Sequence, residues 1–217
     1  MRVLITGATG FVGKGVLAES LGSPEVTAVT VVGRRPTGVE HEKLTELAVE
    51  DMGDLSSVAD QLATVDACFW CLGISSGGLD EATYTHITYS LTMHAARVLL
   101  EQNPKVRFCF LSGSGADGKA MWARVKKRTE DELATLGLDG LVVFRPAYIR
   151  GLHGAKLRGT FYRVAYTVFT PLSPLIRLFG GATSNAEIGR AMIVAIRERM
   201  DGEVLDSRQI NAVAARF

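Results

Sequence analysis

Apolar, β-branched runs recur along the chain at RVLIT, VTAVTVV, LTELAV, ACFWCL, VRFCFLS and LVVFRP, and helical periodicity falls between most of them. Short apolar strands alternating with amphipathic helices predict a parallel sheet covered on both faces. The periodicity places helices at about 11–22, 55–63, 80–102, 119–136 and 184–200. Pro104 and Gly140 punctuate the chain before the fifth and sixth strands. After FRP the alternation stops, and residues 147–183 form a stretch rich in Gly, Pro and aromatic side chains. The expectation is one α/β domain, a doubly wound parallel sheet spanning 1–217, with 147–183 as a small substrate-side appendage. Near the end, GEVLDS predicts a last strand, with Ser207 capping a short terminal helix.

Composition narrows the classes of function. The 217 residues suffice for one sizeable core. With 24 basic against 23 acidic residues, no basic field exists to attract nucleic acid, and none is expected as a partner. The longest uncharged apolar run, VAYTVFTPLSPLI, is interrupted by Pro171 and Pro174 and is shorter than the roughly 20 residues a membrane helix needs, so no membrane span is expected. The opening MRVLITG enters a predicted strand at once, without the regions of a signal peptide, and a cytoplasmic location is expected. Three cysteines, an odd number, give no disulfide framework. Cys68 and Cys71 form a CxxC within an apolar strand, where residues three apart point to opposite faces and cannot easily share a metal. They read as packed thiols.

LITGATGFVGKGVL sets Gly7, Gly10 and Gly13 between the first predicted strand and the first predicted helix. In that context a glycine motif is a dinucleotide-binding signal. Gly7 allows the tight turn, Gly10 lets a pyrophosphate approach the backbone, and Gly13 lets the helix pack closely, while the helix N–H groups and dipole attract the anion. Gly7, Thr9, Gly10, Phe11, Val12 and Gly13 are the expected contacts. A ligand crevice at the switch point of such a Rossmann sheet requires the strand order 3-2-1-4-5-6.

The GxxGxxG spacing within TGATGFVG resembles the extended and atypical short-chain dehydrogenase/reductases, including the nucleotide-sugar epimerase group. Family members that use NAD end the second strand in an acid that holds the adenosine ribose. Here that position is Gly33, followed by Arg34 and Arg35. An acid would repel a 2′-phosphate and a guanidinium can grip it bidentately, so NADP is the expected cofactor. The resemblance further implies that Asp54 and Leu55, in DMGDL, flank the adenine. By the same likeness Leu72 and Gly73, in CLGISSGG, lie along the cofactor.

The resemblance also implies a catalytic strip. Family members carry Ser or Thr after the fifth strand and then YxxxK on the next helix, where a spacing of four sets Tyr and Lys on one face. In FLSGSGADG, Ser112 matches the end of the strand and Ser114 the substrate-orienting Ser; Lys126 matches the Lys that binds the nicotinamide ribose. FRPAYIRG resembles the segment after the sixth strand, so Arg145 and Pro146 are scaffold, and Pro146, Ala147, Tyr148 and Ile149 pass the cofactor. The Tyr position holds Trp122, whose indole N–H donates a hydrogen bond but is no acid near neutral pH. GAD…RVK and RP.YI.G are similar to the atypical branch of Tat-interacting-protein-like short-chain reductases. Among substitute acids, Tyr89, His86 and Tyr148 read as packing, surface or wall residues, and His153, an imidazole in GLHGAK, is the first to test.

Three readings follow: an NADPH-dependent oxidoreductase of unknown small-molecule substrate with an unusual proton source, a non-catalytic NADPH-binding regulatory or scaffold protein, and a nucleotide-sugar epimerase. The epimerase is the weakest, because the appendage is short and the Tyr is absent. The segment 160–180 is expected to form a helical wall over the substrate crevice or a contact in a homodimer.

Overall fold

The computed structural model describes residues 1–154 and 181–217. In chain order the strands are β1 (Arg2–Thr6), β2 (Ala28–Gly33), β3 (Leu44–Ala48), β4 (Ala67–Trp70), β5 (Arg107–Leu111), β6 (Gly140–Arg145), β7 (Tyr148–Arg150), β8 (Ala182–Ser184) and β9 (Val204–Asp206). Seven of them form one sheet in the order β3-β2-β1-β4-β5-β6-β9, all neighbours parallel, so the first six stand in the expected order.

The central strands β1, β4, β5 and β6 are mostly apolar because both faces are covered, whereas the edge strand β3 (LTELA) is partly exposed. Ile5 pairs with Val31 and Phe69 in one layer of the core, with α1 (Gly13–Gly22) and α6 (Asn185–Arg197) on that face. Leu4, Cys68 and Trp70 point the other way, toward α2 (Ala59–Leu62), α4 (Leu91–Gln102) and α5 (Met121–Ala134). Cys68 and Cys71 accordingly pack on opposite faces. Helix α1 lies against α6 so closely that a Cβ on Gly189 would stand 2.9 Å from the Val16 Cα.

Several expected boundaries shift for local reasons. Helix α1 begins at Gly13, because Gly10 to Val12 belong to the glycine turn. The expected helix 55–63 is a 3₁₀ turn (Ser56–Val58) running into α2. The expected helix 80–102 starts at Asp80, whose carboxylate caps the Thr83 N–H at 2.8 Å. It runs as α3 (Glu81–Thr85), a π-helical turn (His86–Ser90) and α4. Ser207 is not the cap of the terminal helix α7 (Ser207–Ala214). Asp206, extended at the end of β9, caps it through a reciprocal box with Gln209, both bonds 2.9 Å. The Ser207 hydroxyl instead accepts the Ala147 N–H at 2.9 Å.

Strands β7 and β8 pair in a separate two-stranded sheet, Tyr148 opposite Ala182, which brings the two ends of the expected appendage together. The expected wall 160–180 and the apolar run 164–176 lie outside the described residues. Among the described residues no helix is long and apolar enough to cross a membrane.

Candidate cofactor and active site

The glycine turn is built by mutual exclusion. Gly7 has φ +67°, and a Cβ there would stand 2.6 Å from the Cys71 carbonyl oxygen, so the turn touches the end of β4 directly. Gly10 donates its N–H to the Gly7 carbonyl at 2.8 Å, and a Cβ on Gly13 would fall 2.1 Å from that same carbonyl oxygen. Gly13 is therefore required by the turn itself, beyond any packing of helix on strand. The Leu72 N–H donates to Thr6 Oγ1 at 3.3 Å, fastening the fourth-strand loop beside the first strand. Gly7, Thr9 and Leu72 are brought together on one crevice and Gly10 is bonded to Gly7, while Gly73 is exposed after Leu72.

A crevice of about 70 Å³ runs from this turn to the end of β2, lined by Gly7, Ala8, Thr9, Val31, Val32, Gly33, Arg34, Arg35, Met52 and Leu72. Arg34 and Arg35 are exposed on its rim. Of DMGDL, Met52 lines the crevice, Leu55 is buried in the core, and Asp54 is exposed, its carboxylate accepting the Ser56 N–H at 3.0 Å. Hydrogen bonds from Ser56 hold the Asp54 pKa below the usual carboxylate range. Met52 was not anticipated from the sequence. A dinucleotide fits these residues, since the turn leads into the N-terminus of α1, whose N–H groups and dipole attract an anion, and two cations stand at the far rim.

A second residue missed by sequence reading is Asn185, fully buried at the start of α6. Its amide donates to the Phe11 carbonyl at 3.0 Å and to the Leu152 carbonyl at 3.0 Å, and its oxygen accepts the Leu152 N–H at 2.8 Å. It ties the turn carrying Phe11 and Val12 to the chain that leaves β7.

Strand β5, the loop after it and helix α5 carry the residues of the expected strip. Ser112 is buried; its N–H donates to the Phe144 carbonyl at 2.8 Å and its hydroxyl to Glu130. Ser114 is exposed in the following loop, its N–H donating to the Pro146 carbonyl at 3.0 Å. Lys126 Nζ donates to the Leu111 carbonyl at 2.8 Å and lies 4.8 Å above the Phe110 ring. Burial lowers the Lys126 pKa to about 8, and Glu130 and Cys71 oppose that shift. Trp122 is half-buried with its six-membered ring on the loop backbone; Cβ atoms at Gly115 and Gly113 would stand 3.5 Å from Cη2 and 3.8 Å from Cζ3. Pro146 is buried, Ala147 exposed, and Tyr148 and Ile149 open β7 beside them.

Arg145 does more than support the strand. Its guanidinium donates to Glu130 (Nη2 to Oε2, 2.5 Å; Nε to Oε1, 3.1 Å) and to Asp117 (Nη1 to Oδ2, 2.5 Å), so it joins α5, β6 and the Ser114 loop. Tyr89 Oη donates to Glu132 at 2.5 Å under the Arg128 guanidinium, and His86 is exposed at the start of the π turn. His153, at φ +55°, has Nε2 3.1 Å from Glu19 Oε1 on α1, the helix on the opposite face of the sheet from α5.

A doubly wound parallel sheet with a glycine turn at its switch point is the architecture of an NAD(P)-binding protein of the short-chain dehydrogenase/reductase type. Residues 3–135 match the NAD dependent epimerase/dehydratase family, and the chain belongs to that family. It is 30% identical over 159 residues to Protein fmp52, mitochondrial, of Aspergillus niger, covering 69% of this chain and 67% of that one. It is 30% identical over 151 residues to Protein HTATIP2 of Rattus norvegicus, covering 68% and 62%. The fold is similar to the structure of MoeE5 in complex with UDP-glucose and NAD, with a TM-score of 0.72 and 17% identity over 100% of this chain and 81% of that one. The expectation of a cytoplasmic location is corrected by the fungal relatives, whose names assign them to mitochondria. A strand among the first residues carries no address, and neither does composition.

Proposed function

We propose that the chain binds NADP(H) in preference to NAD(H) and is an oxidoreductase of unknown substrate whose proton delivery is impaired at Trp122. The observation that carries this reading is the indole packed on the Gly113 and Gly115 backbone while Lys126, four residues on, keeps its bond to Leu111. In this reading Lys126 holds the nicotinamide ribose, Ser114 orients the substrate oxygen, and Arg34 and Arg35 hold the adenosine 2′-phosphate. NADPH, when bound, supplies a hydride. The indole offers a hydrogen bond in place of a dissociable proton and occupies space where a carbonyl would meet the phenol.

The second reading is a non-catalytic NADPH-binding regulatory or scaffold protein. It is favoured by the engagement of two candidate replacement acids elsewhere, Tyr89 with Glu132 and His153 with Glu19. NADPH oxidation by the purified protein with a panel of aldehydes, ketones and quinones separates the two. Slow but saturable turnover supports the first reading, and cofactor binding without turnover supports the second. Mass spectrometry of the nucleotide that co-purifies tests the cofactor preference.

A further inference from the structure

We propose that Arg145 is a positioning residue of the substrate-side strip: one guanidinium, divided between Asp117 and Glu130, holds the Ser114 loop to α5 and so fixes where the Trp122 indole lies. The proposal rests on the reading that Ser114 and Trp122 border the substrate, and it adds what sets them against each other.

The loop runs from Ser112 to the start of α5 at Met121. Backbone bonds fasten its first half to the end of β6, from the Ser112 N–H to the Phe144 carbonyl at 2.8 Å and from the Ser114 N–H to the Pro146 carbonyl at 3.0 Å. Beyond Ser114 the chain turns on Gly115, at φ +86°, and the Gly118 N–H donates back to the Gly115 carbonyl at 2.9 Å. That bond closes the turn on itself without tying it to a neighbour. Helix α5 then begins after Ala120, which supplies no side-chain cap. The bonds that carry the second half of the loop to β6 come from Asp117, whose Oδ2 accepts from Arg145 Nη1 at 2.5 Å and Oδ1 from Nη2 at 3.2 Å.

The rest of the guanidinium goes to α5. Buried Glu130, about two turns beyond Trp122 on that helix, accepts from Arg145 Nε at 3.1 Å, from Nη2 at 2.5 Å and from the Ser112 hydroxyl. Arg145 thus joins the loop that carries Ser114 to the helix that carries Trp122. The indole closes the circuit, its Cη2 and Cζ3 lying against Gly115 and Gly113 on either side of Ser114. A planar fork can hold two carboxylates at once, whereas an ammonium supplies the charge without the spread. Asp117 is 65% exposed, so its loss costs the core little and acts on the loop.

The chain holds two tryptophans, Trp122 and the fully buried Trp70 of β4. Protein labelled with 5-fluorotryptophan, which carries its fluorine on Cζ3, therefore gives two fluorine resonances, assigned by the loss of one in Trp122→Phe. Asp117→Asn and Arg145→Lys are each expected to shift or broaden the Trp122 resonance by more than its width and to leave that of Trp70 in place. The double variant should move Trp122 no further than the larger single effect, because both substitutions cut the same link. A Trp122 resonance unmoved in both variants overturns the proposal, as do effects that add in the double variant. Displacement of both resonances together also overturns it, since a residue that merely props up the fold would give that. If one variant fails to fold the other decides, and if both fail the role lies in folding and the proposal falls. The readout needs neither NADPH nor substrate, so calorimetric titration with NADPH on the same proteins keeps the two readings apart. Absence of NADPH binding alongside a displaced Trp122 resonance removes the cofactor reading and leaves this one standing, and tight binding with an unmoved resonance does the reverse.

Discussion

The six-membered ring of Trp122 lies over Gly115, its Cη2 standing 3.5 Å from where a Cβ on that glycine would fall. Glycines on both sides of Ser114 leave the loop flat enough to receive the indole, and the loop in turn is held to β6 through Pro146 and Arg145. The Trp at the Tyr position is thus part of a fitted surface, with its backbone partners arranged around it.

Restoring the phenol tests what that surface costs in chemistry. Trp122→Tyr is expected to leave NADPH affinity unchanged and to raise carbonyl-reductase turnover, by as much as the roughly 10²–10⁴ that a positioned general acid contributes. Steady-state rates with the same carbonyl panel check it. A wild type that already turns over rapidly, with Trp122→Phe equally fast and His153→Ala inactive, would show a substitute acid at work.

Arg34→Ala is expected to weaken NADPH binding by about one to two decades, the loss of a charged hydrogen bond worth about 1.5–3 kcal/mol, and to leave NADH binding unchanged. Calorimetry with both cofactors decides it. Equal affinity of the wild type for the two would remove the role assigned to the rim of the crevice.

The charge of Lys126 predicts two opposite responses to pH. The ammonium is the hydrogen-bond donor, and its pKa is lowered to about 8 by burial, so NADPH affinity should hold below pH 8 and fall as pH rises through it. Lys126→Met should bind about tenfold or more weakly with no inflection there. The folded protein gives up this proton before the unfolded chain does, whose lysine keeps the ordinary value of 10.5. Between those two values the unfolded state therefore binds more protons, and the contribution of this group to stability rises with pH. Urea unfolding at several pH values, compared with Lys126→Met, reads that slope.

Asn185→Ala should destabilise the fold by about 1–3 kcal/mol or somewhat more, because the Phe11 and Leu152 carbonyls and the Leu152 N–H lose their partner in a buried site. Asn185→Asp should be worse, since it turns a donor facing two carbonyls into an acceptor and buries a charge. Urea midpoints rank the three proteins, and an Asp variant as stable as the wild type would remove the bridging role.

The architecture was legible in the chain because its signals are local. Alternating apolar runs and helical periodicity carried the sheet, glycines at fixed spacing marked the turn and through its crevice the strand order, and Gly33-Arg34-Arg35 and Trp122 were visible as departures at single positions. What the tertiary structure decided depends on atoms that meet across the fold. Asn185 bonds Phe11 across 174 residues of chain, and Arg145 gathers Glu130 and Asp117 from a helix and a loop. Met52 reaches the crevice while its neighbour Leu55 turns into the core. Even the terminal cap was settled at a distance, since Asp206 and Ser207 are both capping residues by type, and the Ser207 hydroxyl meets the Ala147 N–H instead. Periodicity encodes which face of an element is buried, because burial repeats along the element. Single polar contacts do not repeat, so they acquire partners only when sheet and helices have already been packed together.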